Sequence, residues 1–265
     1  MILKKYYPSS AAFMWGDLVL TKDSSGCLRK IVFSSHGLRE EIDPIYAEVG
    51  KVHEDWVNER LLGYNKEVPV KGPILGNEAV EYSGRADYLK DDEVIECKAT
   101  ISKRARLDII RKGNVKINHL AQLVSYLIQL ELTQGRLIVG FYEQDESSKF
   151  VNTEHREFKV TIDDEGRILI DDTLSAYRVH DQLAHMQRAA KHLADGTLGP
   201  RPNDWDAKYT SPCNYCPFKA ACDKIDNGDS TDPVELAKAS LEGHKLKPKR
   251  EIEIPKLKIK KEKKK

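Results

Sequence analysis

The sequence lacks the features of a membrane or secreted protein. No apolar run approaches the roughly 20 residues that a helix needs to span a bilayer, and the N-terminus does not show the charged and then apolar layout of a signal peptide. A G-x-x-x-x-G-K-[ST] phosphate-binding loop is also missing, so these residues encode no helicase motor. We therefore expect a soluble cytoplasmic protein without membrane partners.

Cysteine is sparse, with five residues in a chain of 265, and an odd number does not suit a framework of disulfides. Three of the five, Cys213, Cys216 and Cys222, fall within ten residues. Clustered cysteines in an intracellular protein are more often metal ligands than disulfide partners. The sequence therefore predicts a metal site at this cluster.

The composition allows one main domain with an uneven distribution of charge. Hydrophobic residues make up 40% of the chain and charged residues 32%, which is enough for one sizeable core. The net charge is +1, but the segment 244–265 holds 11 Lys or Arg and 3 Glu and carries +8, which leaves −7 for the residues before it. Any contact with nucleic acid is therefore expected to be local. The lysine-rich tail is either a solvated, disordered end or an arm that binds DNA or a partner protein.

Hydrophobic periodicity predicts an alternation of strands and helices. We expect strands at 18–20, 30–33, 76–90, 93–99 and 137–141, and a hairpin over 156–170. Helices are expected at 44–62, 114–132 and 174–193, the last of them closed by Gly196. Asp91 and Asp92 mark a tight turn between two of the strands.

A pair of carboxylates with a nearby lysine occurs on these two strands. Eight residues separate Asp87 from Glu96, and Lys98 follows Glu96 after Cys97. Because successive strand residues point to opposite faces, Glu96 and Lys98 share a face and Cys97 points away toward the core. Paired carboxylates suit Mg²⁺ or Mn²⁺, and a lysine beside them can stabilise charge on a scissile phosphate. Taken alone, the spacing also occurs on an ordinary half-exposed strand.

Two further sets of residues extend this pattern. His53, on the predicted helix upstream, is an imidazole that can bind a metal, and Glu54 beside it is the second candidate. Downstream, a basic connector is either solvated surface or a phosphate-binding track. The connector contains Lys103, Arg104, Arg106, Arg111, Lys112 and Lys116. Gln122 and Tyr126 then lie four residues apart, on one face of the next helix.

Six of these residues, taken in order, resemble the motifs of the RecB-like branch of the PD-(D/E)XK nucleases: His53, Asp87, Glu96, Lys98, Gln122 and Tyr126. The resemblance implies a metal site made by His53, Asp87, Glu96 and the main-chain carbonyl of Cys97. It also implies that Lys98, Glu96 and Asp87 are catalytic, and that Gln122 and Tyr126 contact DNA or support the site. In the connector, Lys103, Arg104 and Arg106 are the expected DNA-binding residues.

The cysteine spacing adds a second resemblance. Cys213, Cys216 and Cys222 form a C-x2-C-x5-C pattern, and Cys27 lies 186 residues before the first of them. This layout resembles the nucleases of the AddB subunit and of the fourth CRISPR-associated protein family with its phage homologues, in which four cysteines hold a 4Fe-4S cluster. A structural zinc site is the alternative, because four-cysteine zinc also uses C-x2-C pairs. Cys97 is the remaining thiol.

Together these features predict an α/β, restriction-endonuclease-like fold, with a central mixed sheet flanked by helices and a small iron-sulfur lobe made by both chain ends. The nuclease domain is expected at 1–226, with Cys27 and 208–223 in the lobe, followed by a flexible basic tail at 227–265. The resemblance implies a metal-dependent exonuclease that prefers single-stranded DNA ends, in recombination, repair, phage DNA processing or CRISPR adaptation. A non-catalytic DNA-binding or adaptor protein with a structural metal-cysteine site is the alternative.

Overall fold

The computed structural model describes residues 4–8, 27–38, 44–200, 213 and 216–245. Within these ranges, five side chains are outside the description: Arg104, Ile110, Arg111, His244 and Lys245. The strand expected at 18–20 and the tail from residue 246 onward also lie outside the described residues.

The described residues form eight strands and seven α-helices. The strands are β1 Lys4–Tyr6, β2 Asn65–Ile74, β3 Asn77–Lys90, β4 Glu93–Thr100, β5 Gln134–Gln144, β6 Phe150–Ile162, β7 Arg167–Ile170 and β8 Thr173–Arg178. The helices are α1 Leu28–Ser35, α2 Pro44–Asn58, α3 Lys103–Arg106, α4 Ile117–Leu130, α5 Val179–Asp195, α6 Lys219–Asp226 and α7 Pro233–Lys245. A short π-helix, Leu107–Arg111, continues α3.

All eight strands belong to one mixed sheet, which confirms the predicted fold class. Its order is β1-β3-β4-β5-β6-β7-β8, and β2 pairs with β3 off this path. β1 runs parallel to β3 and β4 runs parallel to β5, while the other neighbours are antiparallel. The parallel step from β4 to β5 needs a crossover, which α3, the π-helix and α4 provide.

Helices cover both faces of the sheet at its centre. α4 and α5 pack on one face, where Val94 of β4 and Leu137 of β5 join the main core. α2 covers the other face, where Val57 packs with Ile95 and Ile138. The central strands are therefore buried on both sides, which explains the nearly continuous apolar run of β5. In the described part of the chain, none of the helices is long and apolar enough to cross a membrane.

Two predicted elements differ from the observed ones. Residues 30–33 belong to α1 and not to a strand, because the β-branched pair that suggested a strand packs one side of a short buried helix. Leu174 and Tyr177 belong to β8, so the helix predicted from 174 begins only at Val179 and ends, as expected, before Gly196, whose φ is +68°.

The flexible tail predicted at 227–265 is also corrected for part of its length. Residues Pro233–Lys245 form α7, and Leu236, Ala237 and Leu241 on it are buried against α6 and α1. Their partners include Phe33 and Phe218, whose ring centroids are 5.1 Å apart. These three apolar residues are the sequence pattern that indicates a packed helix here. The prediction of a flexible tail gave more weight to the many lysines further on in the segment.

Candidate active site

The site begins where β3 and β4 separate. The two strands pair from the Asp91 turn as far as Tyr88 and Ile95, and no later pair is formed between them in the described structure. Directly beyond, the Asp87 carboxylate accepts a hydrogen bond of 2.7 Å from the main-chain nitrogen of Cys97. A side chain thus replaces the next strand contact, and a gap opens in the sheet beside Glu96.

Glu96 and Lys98 share one face of β4, as the alternation of strand residues predicted. Lys98 donates a short hydrogen bond from Nζ to Oε1 of Glu96. The Glu96 side chain is fully buried, whereas a quarter of the Lys98 side chain remains exposed. Oε2 of Glu96 is buried and has no hydrogen-bond partner among the described residues. A buried carboxylate that lacks a partner is costly unless another group compensates its charge.

The electrostatics of this pair follow from burial and from Asp87. Burial, with a contribution from the charge of Asp87, raises the pKa of Glu96 to about 8, against the opposing effect of Lys98. Burial lowers the pKa of Lys98, but the carboxylates of Glu96 and Asp87 raise it by more, so that its pKa lies above the ordinary value. Lys98 therefore stays charged, and the Glu96 carboxylate needs a further cation to remain ionised.

His53 lies on α2, as expected, and is held against β5. Its Nδ1 is 3.0 Å from the Tyr142 hydroxyl, and the ring lies so close to Gly140 that a Cβ there would be 2.5 Å from Nδ1. Nε2 is buried and, within the described part of the chain, has no partner. Burial lowers the pKa of His53 to about 4, so the imidazole is neutral at physiological pH and can act as a ligand.

The structure does not bring His53 and the carboxylates into one group. His53 packs on the face of the sheet that carries Cys97, while the side chains of Glu96 and Lys98 point to the opposite face. Among the residues that the structure describes, no three His, Cys, Asp or Glu side chains are arranged to hold a metal ion together. Asp87 and Glu96 are the two acidic side chains of the predicted set that lie close together, and the charge of Asp87 acts on Glu96.

Gln122 and Tyr126 form the wall of the site on the α4 side. Gln122 donates a hydrogen bond of 3.1 Å to the Tyr126 hydroxyl, and both residues are buried. Burial and the charge of Glu96 raise the pKa of Tyr126, which shows that the phenol lies near the carboxylate. Gly84 permits this arrangement, because a Cβ there would be 2.6 Å from the Tyr126 ring.

Three residues of the site were missed by the sequence analysis. Tyr142 and Gly140 hold His53, and the short apolar run of β5 gave no sign of either role. His119 has a buried Nδ1 without a partner in the described chain, and burial and the charge of Lys98 lower its pKa. Its position three residues before Gln122, on the same helical face, was the signal that could have identified it.

The basic connector is only partly available to a ligand. Lys103 is exposed, whereas Arg106 donates to the carboxylates of Glu154 and Glu143 at 2.8 and 2.9 Å. The side chain of Arg104 lies outside the described residues. Lys112 is paired with Asp108.

All four predicted cysteine ligands lie among the described residues. Cys27 is the N-cap of α1, Cys222 lies on α6, and Cys213 and Cys216 precede α6. Burial raises the pKa of Cys27 to about 12, and the charges of Cys213, Cys216 and Cys222 raise it further. Burial likewise raises the pKa of Cys216 to about 11. As stated above, the described side chains are not arranged as a metal group.

The comparisons with known proteins give one family and several distant likenesses. A protein-family model for the PD-(D/E)XK nuclease superfamily matches residues 28–223. No match was found among curated proteins. Similar solved structures include SSO0001, at 21% identity and a TM-score of 0.46, over 82% of this chain and 87% of that one. A phage-related exonuclease from Haemophilus somnus 129PT is 13% identical, with a TM-score of 0.47, and the match covers 74% of this chain and 95% of that one. The alkaline exonuclease LHK-Exo from Laribacter hongkongensis is 12% identical, with a TM-score of 0.44, and the match covers 73% of this chain and 91% of that one.

Proposed function

The chain belongs to the PD-(D/E)XK nuclease superfamily, and we propose that it is a divalent-metal-dependent deoxyribonuclease that acts as an exonuclease on single-stranded DNA ends. Nucleases of this superfamily generally use Mg²⁺ or Mn²⁺. The processes in which we place the activity are recombination, repair, phage DNA processing or CRISPR adaptation.

One observation carries the proposal, and it is the Glu96 carboxylate. This group is fully buried beside a second carboxylate, Asp87, and its Oε2 lacks a partner in the described structure. Lys98 compensates only part of the negative charge, because the pKa of Glu96 still lies near 8. A divalent cation bound by Asp87 and Glu96 would supply the missing charge.

Carboxylate and carbonyl oxygens are the donors that a hard divalent ion prefers. We propose Asp87, Glu96 and the carbonyl of Cys97 as ligands, and His53 as a further ligand through its unpartnered Nε2. Because His53 is neutral and Tyr142 holds its Nδ1, the ring is prepared for metal binding. When bound, such an ion supplies an activated water and neutralises charge on the scissile phosphate.

The protein's own contribution centres on Lys98. Its ammonium stays charged and adjoins the carboxylates, and its partly exposed side chain can reach a phosphate oxygen. A fixed positive charge there stabilises the negative charge that develops on the phosphate oxygens during hydrolysis. Its hydrogen bond to Glu96 would hold the ammonium beside a phosphate bound at the carboxylates.

The predicted DNA-binding residues differ in exposure and in the partners that they already have. Gln122 and Tyr126 are buried and bonded to each other, which favours support of the Glu96 pocket over broad contact with DNA. Lys103 is exposed and is the better candidate for a phosphate contact, while Arg106 would first have to leave two carboxylates. Arg104 remains a prediction.

For the cysteines we propose a 4Fe-4S cluster, with structural zinc as the alternative. Support comes from Cys27 and Cys216, because burial raises the pKa of each thiol and the other cysteines near it raise that pKa further. The cluster would join the N-terminal Cys27 to the C-terminal α6 and restrict the unfolded chain.

The substrate preference is tested with linear and circular DNA. We expect purified protein with Mg²⁺ or Mn²⁺ to release labelled nucleotides from the ends of linear single strands, and to leave circular single strands intact. Cutting of circles at the same rate would show an endonuclease. Faster degradation of double-stranded ends than of single-stranded ends would contradict the proposed preference.

A further inference from the structure

An arginine of the basic connector is held by two carboxylates of the β5–β6 hairpin. Nε of Arg106 donates to Oε2 of Glu154 at 2.8 Å, and its Nη1 donates to Oε1 of Glu143 at 2.9 Å. The side chains remain partly exposed, at 35% for Arg106 and Glu154 and 50% for Glu143. We call these three residues the Arg106 cluster. Two of the three guanidinium nitrogens are thus already engaged by carboxylates.

The strand register places the Arg106 cluster on the face of the sheet that carries Lys98. Thr100 follows Lys98 by two residues and pairs with Phe141, which in turn pairs with Glu154. Glu143 follows Phe141 by two residues on β5. Residues that pair across neighbouring strands share a face, and so do residues two apart on one strand. From the usual spacings of strands and residues, the Cα atoms of Lys98 and Glu154 are roughly 12 Å apart.

The Arg106 cluster borders a small cleft at the ends of β4 and β5. The cleft is lined by Ser102, by Lys103 and Arg106 of the connector, and by Glu143 of the hairpin, among others. Lys103 is exposed and precedes Arg106 by three residues, so their side chains lie on one side of α3. A DNA strand that passes from Lys98 to Lys103 therefore runs beside the Arg106 cluster.

The charges of the cluster decide what Arg106 can do for such a strand. If Arg106 turned from the carboxylates to a phosphate, Glu143 and Glu154 would lie unpaired beside the negatively charged backbone, and both would repel it. In its observed position, the guanidinium offsets part of their charge. Its two charge-assisted hydrogen bonds also tie the connector to the hairpin. Lys103, by contrast, is an exposed point charge next to the same path.

We propose that Arg106 is a positioning residue for the DNA strand and not a phosphate ligand. It shields the strand from Glu143 and Glu154 and holds the connector in place, so that Lys103 makes the phosphate contact. This inference rests on the proposed function, because it concerns the path of DNA through the same site.

The salt dependence of DNA binding separates the two roles. The affinity of the full chain for a single-stranded oligonucleotide is measured by fluorescence anisotropy at several salt concentrations, without Mg²⁺ or Mn²⁺ so that the DNA stays intact. For single strands, the logarithm of the affinity falls against the logarithm of the salt concentration with a slope of about −0.7 for each phosphate contact. Loss of a phosphate ligand therefore makes the slope less steep, whereas loss of a positioning residue does not.

Four variants are compared with the parent. Arg106→Met removes the guanidinium, and Lys103→Met removes the proposed phosphate ligand. A triple variant combines Arg106→Met with Glu143→Gln and Glu154→Gln, which leaves no unpaired charge in the cluster. Arg136→Met is the matched control.

Arg136 suits this purpose because it also bonds to two carboxylates, but at the other end of β5. Its Nη2 donates to Oε2 of Glu93 at 2.7 Å, and its Nη1 donates to Oε2 of Glu157 at 3.3 Å. Its removal tests the general cost of breaking such a group on this sheet.

We expect Arg106→Met to bind the oligonucleotide about three- to tenfold more weakly than the parent, with the slope of the parent, because two carboxylates lose their partner. The triple variant should regain the affinity of the parent. Lys103→Met should show a slope that is less steep by about 0.7. Arg136→Met should match the parent in affinity and slope.

A slope less steep by about 0.7 in Arg106→Met or in the triple variant would show that Arg106 binds a phosphate, and would overturn the proposal. The triple variant gives this result even if Arg106→Met does not fold. Weak binding that persists in the triple variant would overturn the proposal too, because shielding of the carboxylates would not be the role of Arg106. In each case a parent that cleaves DNA keeps the proposed function. A parent that neither binds nor cleaves single strands would overturn both.

Discussion

The carboxylate of Asp87 accepts a 2.7 Å hydrogen bond from the main-chain nitrogen of Cys97, at the point where the pairing of β3 and β4 ends. This bond ties Asp87 to the strand that carries Glu96 and Lys98, and it opens the sheet beside the buried carboxylate. The two acidic side chains thus adjoin although they come from different strands. Burial raises the pKa of Glu96, and the nearby charge of Asp87 raises it further.

Metal binding should depend on the carboxylates and not on the lysine. We predict that Asp87→Asn and Glu96→Gln each weaken Mn²⁺ binding by at least about tenfold, measured by calorimetry or by the Mn²⁺ resonance spectrum. Lys98→Ala should bind the ion at least as well as the parent, because the ammonium competes with it for Glu96. Equal loss in all three variants would mean that Lys98 only maintains the structure.

His53→Ala should raise the Mg²⁺ or Mn²⁺ concentration needed for half-maximal cleavage by at least about tenfold, since a metal ligand is lost. Glu54→Ala is the matched control, because the next residue of the same helix is exposed. Tyr142→Phe, which removes the bond to Nδ1, should have a smaller effect in the same direction. An unchanged requirement in His53→Ala, with a loss in Glu54→Ala, would assign the ligand to Glu54.

Gly140→Ala should displace His53, because the new Cβ would lie 2.5 Å from Nδ1 and 2.8 Å from the Tyr142 ring. We expect a loss of about 1–3 kcal/mol in the free energy of unfolding and a weaker affinity for metal. Gly50→Ala on α2 meets nothing within 4 Å and should stabilise the helix by up to about 1 kcal/mol. Chemical denaturation of both variants checks this, and an equal effect would show that β5 yields to the added methyl group.

The raised pKa of Glu96 makes the metal-free protein sensitive to pH. The folded protein keeps the proton up to about pH 8, whereas the unfolded chain releases it near 4.5. The stabilising contribution of the protonated carboxyl is therefore complete below about pH 4.5 and is lost as the pH rises to 8. Between pH 5 and 8, the free energy of unfolding of Glu96→Gln should rise relative to that of the parent by more than about 1.4 kcal/mol, the equivalent of one pKa unit. Denaturation curves at several pH values check this. A difference in the free energy of unfolding between Glu96→Gln and the parent that stays the same at every pH would contradict the raised pKa of Glu96.

Cys27→Ser should remove the metal of the lobe and lower the thermal midpoint more than an ordinary surface change, because the N-terminal segment loses its link to α6. The parent is expected to be brown, with broad absorbance near ~400 nm. Cys97→Ser is the control that should keep the iron. About one zinc and no iron per chain, in protein prepared without oxygen, would replace the cluster with a structural zinc site.

The sequence was sufficient to place the proposed site residues on their elements, because their signals are local. Alternation along β4 predicted that Glu96 and Lys98 share a face, and the Asp91 turn fixed the pairing of β3 with β4. The stripe of α2 likewise predicted a helix that carries His53.

What the sequence did not predict depends on contacts between distant segments. The burial of Glu96 follows from the packing of α4 over β4, and the support of His53 by Tyr142 comes from a residue 89 positions away. Residues 30–33 show the same limit, since their β-branched side chains favour a strand locally while packing against α5 and β1 keeps them helical.

The most direct test of the account is the rate at which end-labelled single-stranded DNA is cleaved by the parent, by Lys98→Ala and by Lys159→Ala, with Mg²⁺ or Mn²⁺ and with a chelator. Lys159 is an exposed lysine on β6 of the same sheet and serves as the matched control. We predict metal-dependent cleavage by the parent and by Lys159→Ala, and a loss of at least about 10²-fold in Lys98→Ala, with DNA binding retained. Cleavage by Lys98→Ala within about tenfold of the parent would contradict the assignment of this site.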